Sequence, residues 1–103
     1  MSYRVEFTQE ALEDLAHLCS FLEHQAWERG DPDLPERALD AIAAGVALLA
    51  VNPYTCRKAD DDPLERELII PFGAAGYVAL FRIASQELVA ISALRHQRED
   101  DYH

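Results

Sequence analysis

The residues best suited to chemistry lie close to the end of the chain and are Arg95, His96, Arg98 and Tyr102. In such a set His or Tyr could move protons while Arg holds a phosphate and its developing charge, which together would cleave a phosphodiester. Arg82 on a neighbouring predicted strand, with Arg57 or Arg66, could add positive charge. The same side chains could instead hydrogen-bond across a polar tail or bind a protein partner. Their spacing does not choose among these roles.

Other catalytic and ligand-binding patterns are missing from the sequence. It contains no G-x-S-x-G motif, Walker loop, H-E-x-x-H motif or paired Cys/His zinc pattern. Asp60, Asp61 and Asp62 are consecutive, so their side chains point in different directions, and a solvated loop explains them better than a metal site. We therefore expect no cofactor and no metal ion.

The C-terminal half of the chain predicts the sheet that must position the candidate residues. Between residues 66 and 95, three runs rich in Val, Ile, Phe and Tyr are separated by turns at 73–76 and 85–86. This pattern is typical of a three-stranded antiparallel meander. Residues 2–7 alternate between apolar and polar side chains, which predicts a further strand with one buried face.

Two helices are predicted between that first strand and the meander. Thr8 could cap a helix over residues 9–29 that ends at Gly30. Its apolar stripe comprises Leu12, Leu15, Cys19 and Leu22. Asp33 and Pro35 suit the start of a second helix, which ends before Asn52. Its apolar face comprises Leu39, Ile42, Ala43, Val46, Leu49 and Ala50.

The order of these elements predicts an α+β fold, β-α-α-β-β-β, with a helical hairpin packed on one face of a small, mainly antiparallel sheet. Phe21 and Trp27 fall outside the apolar stripe of the first helix. They could pack at the edge of the core or form a patch that binds a partner, since exposed aromatic residues often mark interfaces.

Length and charge limit the classes of function. The 103 residues predict a single domain, 1–103, and no apolar run approaches the ~18 residues that cross a bilayer. The formal net charge of -10 disfavours direct nucleic-acid binding, which relies on cations that neutralise phosphates. Six of the nine cations lie after residue 52, in or beside the predicted meander. We expect a cytoplasmic protein that does not associate with membranes.

Several segments together resemble the RelE/ParE toxin superfamily of bacterial type II toxin–antitoxin systems. The resemblance spans nearly the whole chain and includes Ala11-x-x-Asp14-Leu15 and Leu49-x-x-Asn52-Pro53 with Arg57 shortly after it. It also includes two strand segments, Gly76-Tyr-Val-Ala-Leu-Phe-Arg-Ile83 and Leu94-Arg-His-Gln-Arg-Glu99, and then Tyr102. The superfamily fold that this resemblance implies is the β-α-α-β-β-β arrangement.

The resemblance implies two competing activities. RelE-like members are ribosome-dependent mRNA endonucleases and are typically basic, whereas ParE-like members inhibit DNA gyrase by binding it. The position after the Tyr of the middle strand, often a catalytic Arg in RelE-like proteins, is Val78 here. The acidic balance also suits a site made of ribosomal RNA poorly. The chain is therefore more similar to ParE-like, plasmid-stabilisation toxins.

From this resemblance we expect a gyrase inhibitor that acts by protein–protein contact and forms a hetero-oligomer with a cognate, ParD-like antitoxin. The residues expected to bind the target or partner are Arg57, Arg66, Arg82, Arg95, Arg98, Phe21 and Trp27. The alternatives are a RelE-like mRNA endonuclease with Arg95, His96, Arg98 and Tyr102 as catalytic residues, or a toxin-fold protein that has lost toxicity and only binds its antitoxin.

Overall fold

The computed structural model describes residues 2–97 and confirms the predicted order of helices and strands. The elements are β1 (Arg4–Phe7), α1 (Gln9–Arg29), α2 (Leu34–Val51), a 3-10 helix (Pro53–Thr55), β2 (Arg57–Lys58), β3 (Glu65–Phe72), β4 (Ala75–Ile83) and β5 (Leu88–His96). The two-residue strand β2 was not expected from the sequence and lies within the segment between α2 and the meander. No helix among residues 2–97 is both long enough and apolar enough to cross a membrane.

The strands form one mixed sheet in the order β1-β5-β4-β3-β2. Strands β3, β4 and β5 are the predicted antiparallel meander, and β2 adds an antiparallel edge to β3. Strand β1 pairs in parallel with β5, because the helical hairpin returns the chain across the sheet before the meander begins. The α+β fold with a mainly antiparallel sheet is therefore confirmed.

The ends of the helices follow local chemistry. The Thr8 hydroxyl accepts a hydrogen bond from the backbone N–H of Ala11 at 3.2 Å and so caps α1. Gly30 ends α1 in the left-handed conformation, with φ of 64°, which favours glycine. Asp33 precedes α2, but within residues 2–97 its side chain makes no capping hydrogen bond. Its own backbone is already helical, which removes the extended geometry that a capping side chain needs.

The hydrophobic core lies between the helical hairpin and one face of the sheet. Helix α1 packs mainly on β5, and α2 packs mainly on β3. Gly45 allows the second contact to be close, because a Cβ atom there would lie 2.9 Å from Cγ1 of Ile70. Phe81, Ile91 and Val89 are fully buried at the centre of the core.

The predicted core-facing stripes need correction. Leu12 is 47% exposed, and Leu39 and Ala43 are also exposed. Leu22 on α1 and Ile42 and Leu49 on α2 are buried, as predicted. The buried faces also contain residues outside the predicted stripes, which are Ala11, Ala26, Leu34 and Ala38. The small alanines carry little weight in a hydrophobic pattern, yet they occupy the closest contacts because they let the helix axis approach the sheet.

Candidate functional site

A cleft of about 630 Å³ opens between the C-terminal half of α1, the β3–β4 turn and the end of β5. Its lining is roughly equally polar and apolar. It includes Asp14, His17, Phe21, Arg29, Phe72, Tyr77, Leu94, Arg95 and His96. We call this feature the α1 cleft. It contains part of the residue cluster that the sequence indicated.

Aromatic rings form one wall of the α1 cleft. The rings of Phe72 and Tyr77 are stacked with centroids 5.9 Å apart, and the His96 ring meets Tyr77 edge-on at 5.7 Å. Tyr77 is buried, and this burial raises the pKa of its phenol above the usual value. Tyr77 therefore stays protonated near neutral pH and serves as packing surface rather than as a base.

Asp14 fixes the position of α1 relative to the last strand. Its carboxylate accepts a hydrogen bond from the backbone N–H of Leu94 at 3.0 Å. Strand β1 pairs with β5 only as far as Ile91, so no strand of the described sheet lies beside Leu94 at that edge. The carboxylate thus supplies the hydrogen-bond acceptor that a neighbouring strand would otherwise provide to the Leu94 N–H. In the sequence Asp14 stands out only within the family resemblance, although an acid beside the apolar stripe of a helix indicates a specific hydrogen-bond partner.

Arg95 and His96 begin on opposite faces of β5, as consecutive strand residues do. His96 pairs in register with Tyr77 and is half-buried, whereas Arg95 pairs with Val78 and is exposed. Both residues contribute to the α1 cleft, and both make interactions with other groups. Arg98 and Tyr102, which the sequence grouped with them, lie outside the described residues.

Arg57, Arg66 and Arg82 do not join Arg95 and His96, so the expectation of one cationic cluster is wrong. In the β4–β5 register Arg82 lies opposite Ala90, five residues before Arg95. At about 3.4 Å per residue this separation is roughly 17 Å along the sheet. Antiparallel pairing is the reason, because it places the end of β4 beside the beginning of β5.

These three arginines lie instead at the other end of the sheet, where acidic and carbonyl groups surround them. The Arg57 Nε donates to Glu67 at 2.9 Å, and the Arg82 guanidinium donates to Asp62 at 2.9 Å and to Glu65 at 2.8 Å. Arg66 donates to the backbone carbonyls of three residues, Tyr54, Cys56 and Pro63.

The charges at this end of the sheet compensate one another. Hydrogen bonds to Glu65 and Asp62 raise the pKa of Arg82. The pKa of Asp62 is lowered, first by the hydrogen bond from the backbone N–H of Leu64 and then by Arg82. Each of these charged side chains therefore has a partner of opposite charge within the chain.

The two aromatic residues singled out in α1 lie on different surfaces. Phe21 is half exposed and lines the α1 cleft. Trp27 is 86% exposed and lies beside Gly30, Pro32 and Pro35 at the end of the helical hairpin. The structure therefore leaves both side chains accessible, but they do not form a single patch.

Comparison with known proteins agrees with this fold. Residues 5–101 match the model of the family described as the ParE toxin of the type II toxin–antitoxin system, parDE. The chain is 33% identical over 95 residues to Toxin RelE3 of Caulobacter vibrioides, which covers 92% of this chain and 95% of the relative.

Among solved structures, the chain resembles one described as the chromosomal ParDE TA system from P. aeruginosa. The TM-score is 0.71 at 17% sequence identity, and the match covers 92% of this chain and 96% of the other. At that identity the likeness shows the shared fold. The family match covers most of the chain and agrees with the relative and with the shared fold. The chain therefore belongs to the ParE toxin family of type II toxin–antitoxin systems, within the RelE/ParE superfamily.

Proposed function

We propose that this toxin inhibits DNA gyrase by protein–protein contact, without chemistry of its own, and that a cognate antitoxin neutralises it. The observation that carries the proposal is the arrangement of cations on the sheet. Arg57 and Arg82 bind carboxylates of the same chain, and Arg66 binds backbone carbonyls. A nuclease needs such cations directed at the phosphate and at the charge that develops on it.

The position of Val78 supports the same proposal. Val78 is 3% exposed and lies between Ile69 and Arg95 in the strand register. This is the position at which the resemblance to RelE-like proteins places a catalytic arginine. An apolar side chain that is packed between its neighbours supplies neither charge nor a proton to a substrate.

The α1 cleft is the site we assign to the antitoxin. Its aromatic wall and its half-exposed Phe21 suit the apolar face of an amphipathic helix that folds as it binds. The outer surface of α1 carries exposed acids such as Glu13 and Glu23, so basic residues on the antitoxin segment would complement it. The affinity should therefore fall as salt is raised, and an affinity independent of salt would count against this arrangement.

Two activity assays on one preparation test the proposed target. The first measures DNA supercoiling by purified gyrase, and the second measures mRNA cleavage in a translating system. We expect loss of supercoiling, or trapped cleaved DNA, while the mRNA stays intact. Cleaved mRNA with unaffected gyrase would overturn the proposal.

The second candidate is a ribosome-dependent mRNA endonuclease. The relationship at 33% identity to a protein named Toxin RelE3 favours it, as does the presence of Arg95 and His96 in one cleft. Cleavage that is lost in His96→Ala and Tyr102→Ala variants would establish this activity. If neither assay responds while the antitoxin still binds, the chain is a toxin-fold protein that has lost toxicity.

A further inference from the structure

The solvent-facing side of α2 is unusually apolar for an outer helix surface. Residues 41–56 contain no Asp, Glu, Lys, Arg or His. Within this run Leu48 is 62% exposed, Val51 is 70% exposed and Tyr54 is half exposed. An outer helix face normally carries polar residues, and exposed apolar patches mark binding surfaces.

We propose that this surface is a two-fold contact between two copies of the chain. We call it the α2 face and define it by Ala43, Ala44, Ala47, Leu48, Val51 and Tyr54. All six are exposed. The three alanines are small enough for two helices to approach closely, while Leu48 and Val51 are large enough to bury apolar area between them.

The charges at the two ends of the α2 face identify the occupant as a second copy. Glu36 and Asp40 are exposed in the first half of α2, and the exposed Arg37 between them is bound to Asp31. Lys58 is exposed on β2, which follows the C-terminal end of α2, and it pairs in register with Arg66, whose guanidinium lies at the Tyr54 ring. Arg57 points to the other face of the sheet, where Glu67 binds it. The sequence along this surface is therefore acidic, then apolar, then basic.

Such a gradient is self-complementary. A two-fold axis perpendicular to α2 and through the middle of the α2 face makes the two helices antiparallel and places the acidic end of each copy beside the basic end of the other. Opposed helix dipoles favour the same orientation. A uniformly acidic partner would be repelled at Glu36 and Asp40, and a uniformly basic partner would be repelled at Lys58. The chain carries a net charge of -10, so two copies would repel each other across most surfaces. The α2 face is apolar in the middle and oppositely charged at its two ends, which reduces that repulsion.

The ring of Tyr54 is held in place at the basic end of the face. The Arg66 guanidinium lies 5.2 Å from the ring centroid, and its Nη1 also donates to the Tyr54 carbonyl at 3.1 Å. This contact fixes an exposed aromatic side chain without burying it. A fixed ring loses little conformational entropy on association.

Analytical ultracentrifugation of the purified protein over a range of concentrations tests the proposal. We expect a monomer–dimer equilibrium in the wild-type chain. In Leu48→Glu the dimer dissociation constant should rise at least about tenfold, because each substitution occurs twice in a two-fold contact. Phe21→Glu is the matched control, since Phe21 is similarly exposed but lies in the α1 cleft, and it should leave dimerisation unchanged. Circular dichroism confirms that each variant is folded.

A charge exchange tests the antiparallel arrangement. Asp40→Lys and Lys58→Asp should each weaken the dimer, and the double variant should restore it. The 11 residues of α2 that follow Asp40 span about 17 Å, and Lys58 lies beyond the end of the helix, paired with Arg66 of β3, so rescue cannot come from a contact within one chain. Absence of rescue would refute the antiparallel two-fold contact.

Other occupants of the α2 face give distinct results. A wild-type chain that is monomeric at every concentration overturns the proposal. If Leu48→Glu then abolishes antitoxin binding or gyrase inhibition, the face belongs to that partner instead. The sedimentation measurement needs neither gyrase nor antitoxin, so its outcome is independent of the proposed activity.

Discussion

Replacement of Asp14 by Ala tests how α1 is held against the last strand. The carboxylate accepts the Leu94 N–H at 3.0 Å in a partly buried setting, between residues 80 apart in sequence. In the Ala variant the Leu94 N–H would lose its acceptor at a sheet edge that lacks another strand. The α1 cleft would also lose the contact that fixes the position of its helical wall.

The expected cost follows from the type of hydrogen bond. Bonds to charged acceptors contribute roughly 1.5–3 kcal/mol, and partial solvent access places this one near the lower end. We therefore expect Asp14→Ala to lower the free energy of unfolding by about 1.5–2 kcal/mol. In a domain of this size that corresponds to a fall in Tm of roughly 6–12 °C.

Two variants with the same change in net charge separate the hydrogen bond from general electrostatics. Glu13→Ala removes an exposed acid next to Asp14 and should change stability by no more than about 0.5 kcal/mol. Asp14→Asn keeps an oxygen acceptor and should fall between the other two. Urea unfolding followed by circular dichroism measures all three. If Asp14→Ala is no more destabilised than Glu13→Ala, the Asp14–Leu94 hydrogen bond does not stabilise the fold as proposed.

Three further predictions concern packing, backbone and pH. Gly45→Ala should lower stability by about 1 kcal/mol in thermal unfolding, because crowding of Ile70 at 2.9 Å outweighs the gain of about 1 kcal/mol in helix propensity. Gly30→Ala should lower Tm, since alanine rarely adopts a φ of 64°; an unchanged Tm would contradict the cap. The folded-state pKa of Asp62 is lowered, so its stabilising contribution is present above pH 3.8, the ordinary value, and is lost as pH falls below it. Arg82→Gln should reduce that loss in urea titrations at pH 7 and pH 3.

Local signals allowed much of the fold to be predicted. Thr8 and Gly30 set the ends of α1 through one hydroxyl and one left-handed residue, and both effects act within a few residues of sequence. The meander likewise follows from apolar runs separated by short turns. The face that α1 turns toward the sheet was harder to predict from the sequence. Ala11 is buried while the larger Leu12 is exposed, because the short distance between helix and sheet favours a small side chain.

The grouping of site residues depends on register, which the sequence does not specify. Arg82 and Arg95 are on neighbouring strands, yet antiparallel pairing places them at opposite ends of the meander. A bulge between Leu80 and Phe81 further shifts the β4–β5 pairing. The Asp14–Leu94 hydrogen bond is also a product of tertiary structure, because it joins residues that only the completed sheet brings together.

Two features of the sheet weigh against the alternative nuclease, the charge compensation of its arginines and the apolar residue Val78. An arginine at position 78 would enter a buried position directly opposite Arg95 in the strand register. Two neighbouring guanidinium groups in that setting would repel each other unless a phosphate lay between them. The arginines at the far end of the sheet are too distant from Arg95 to assist there, and carboxylates of the same chain bind Arg57 and Arg82. A phosphate-binding surface at that end of the sheet would require removal of the carboxylates of Glu67, Glu65 and Asp62, which bind Arg57 and Arg82.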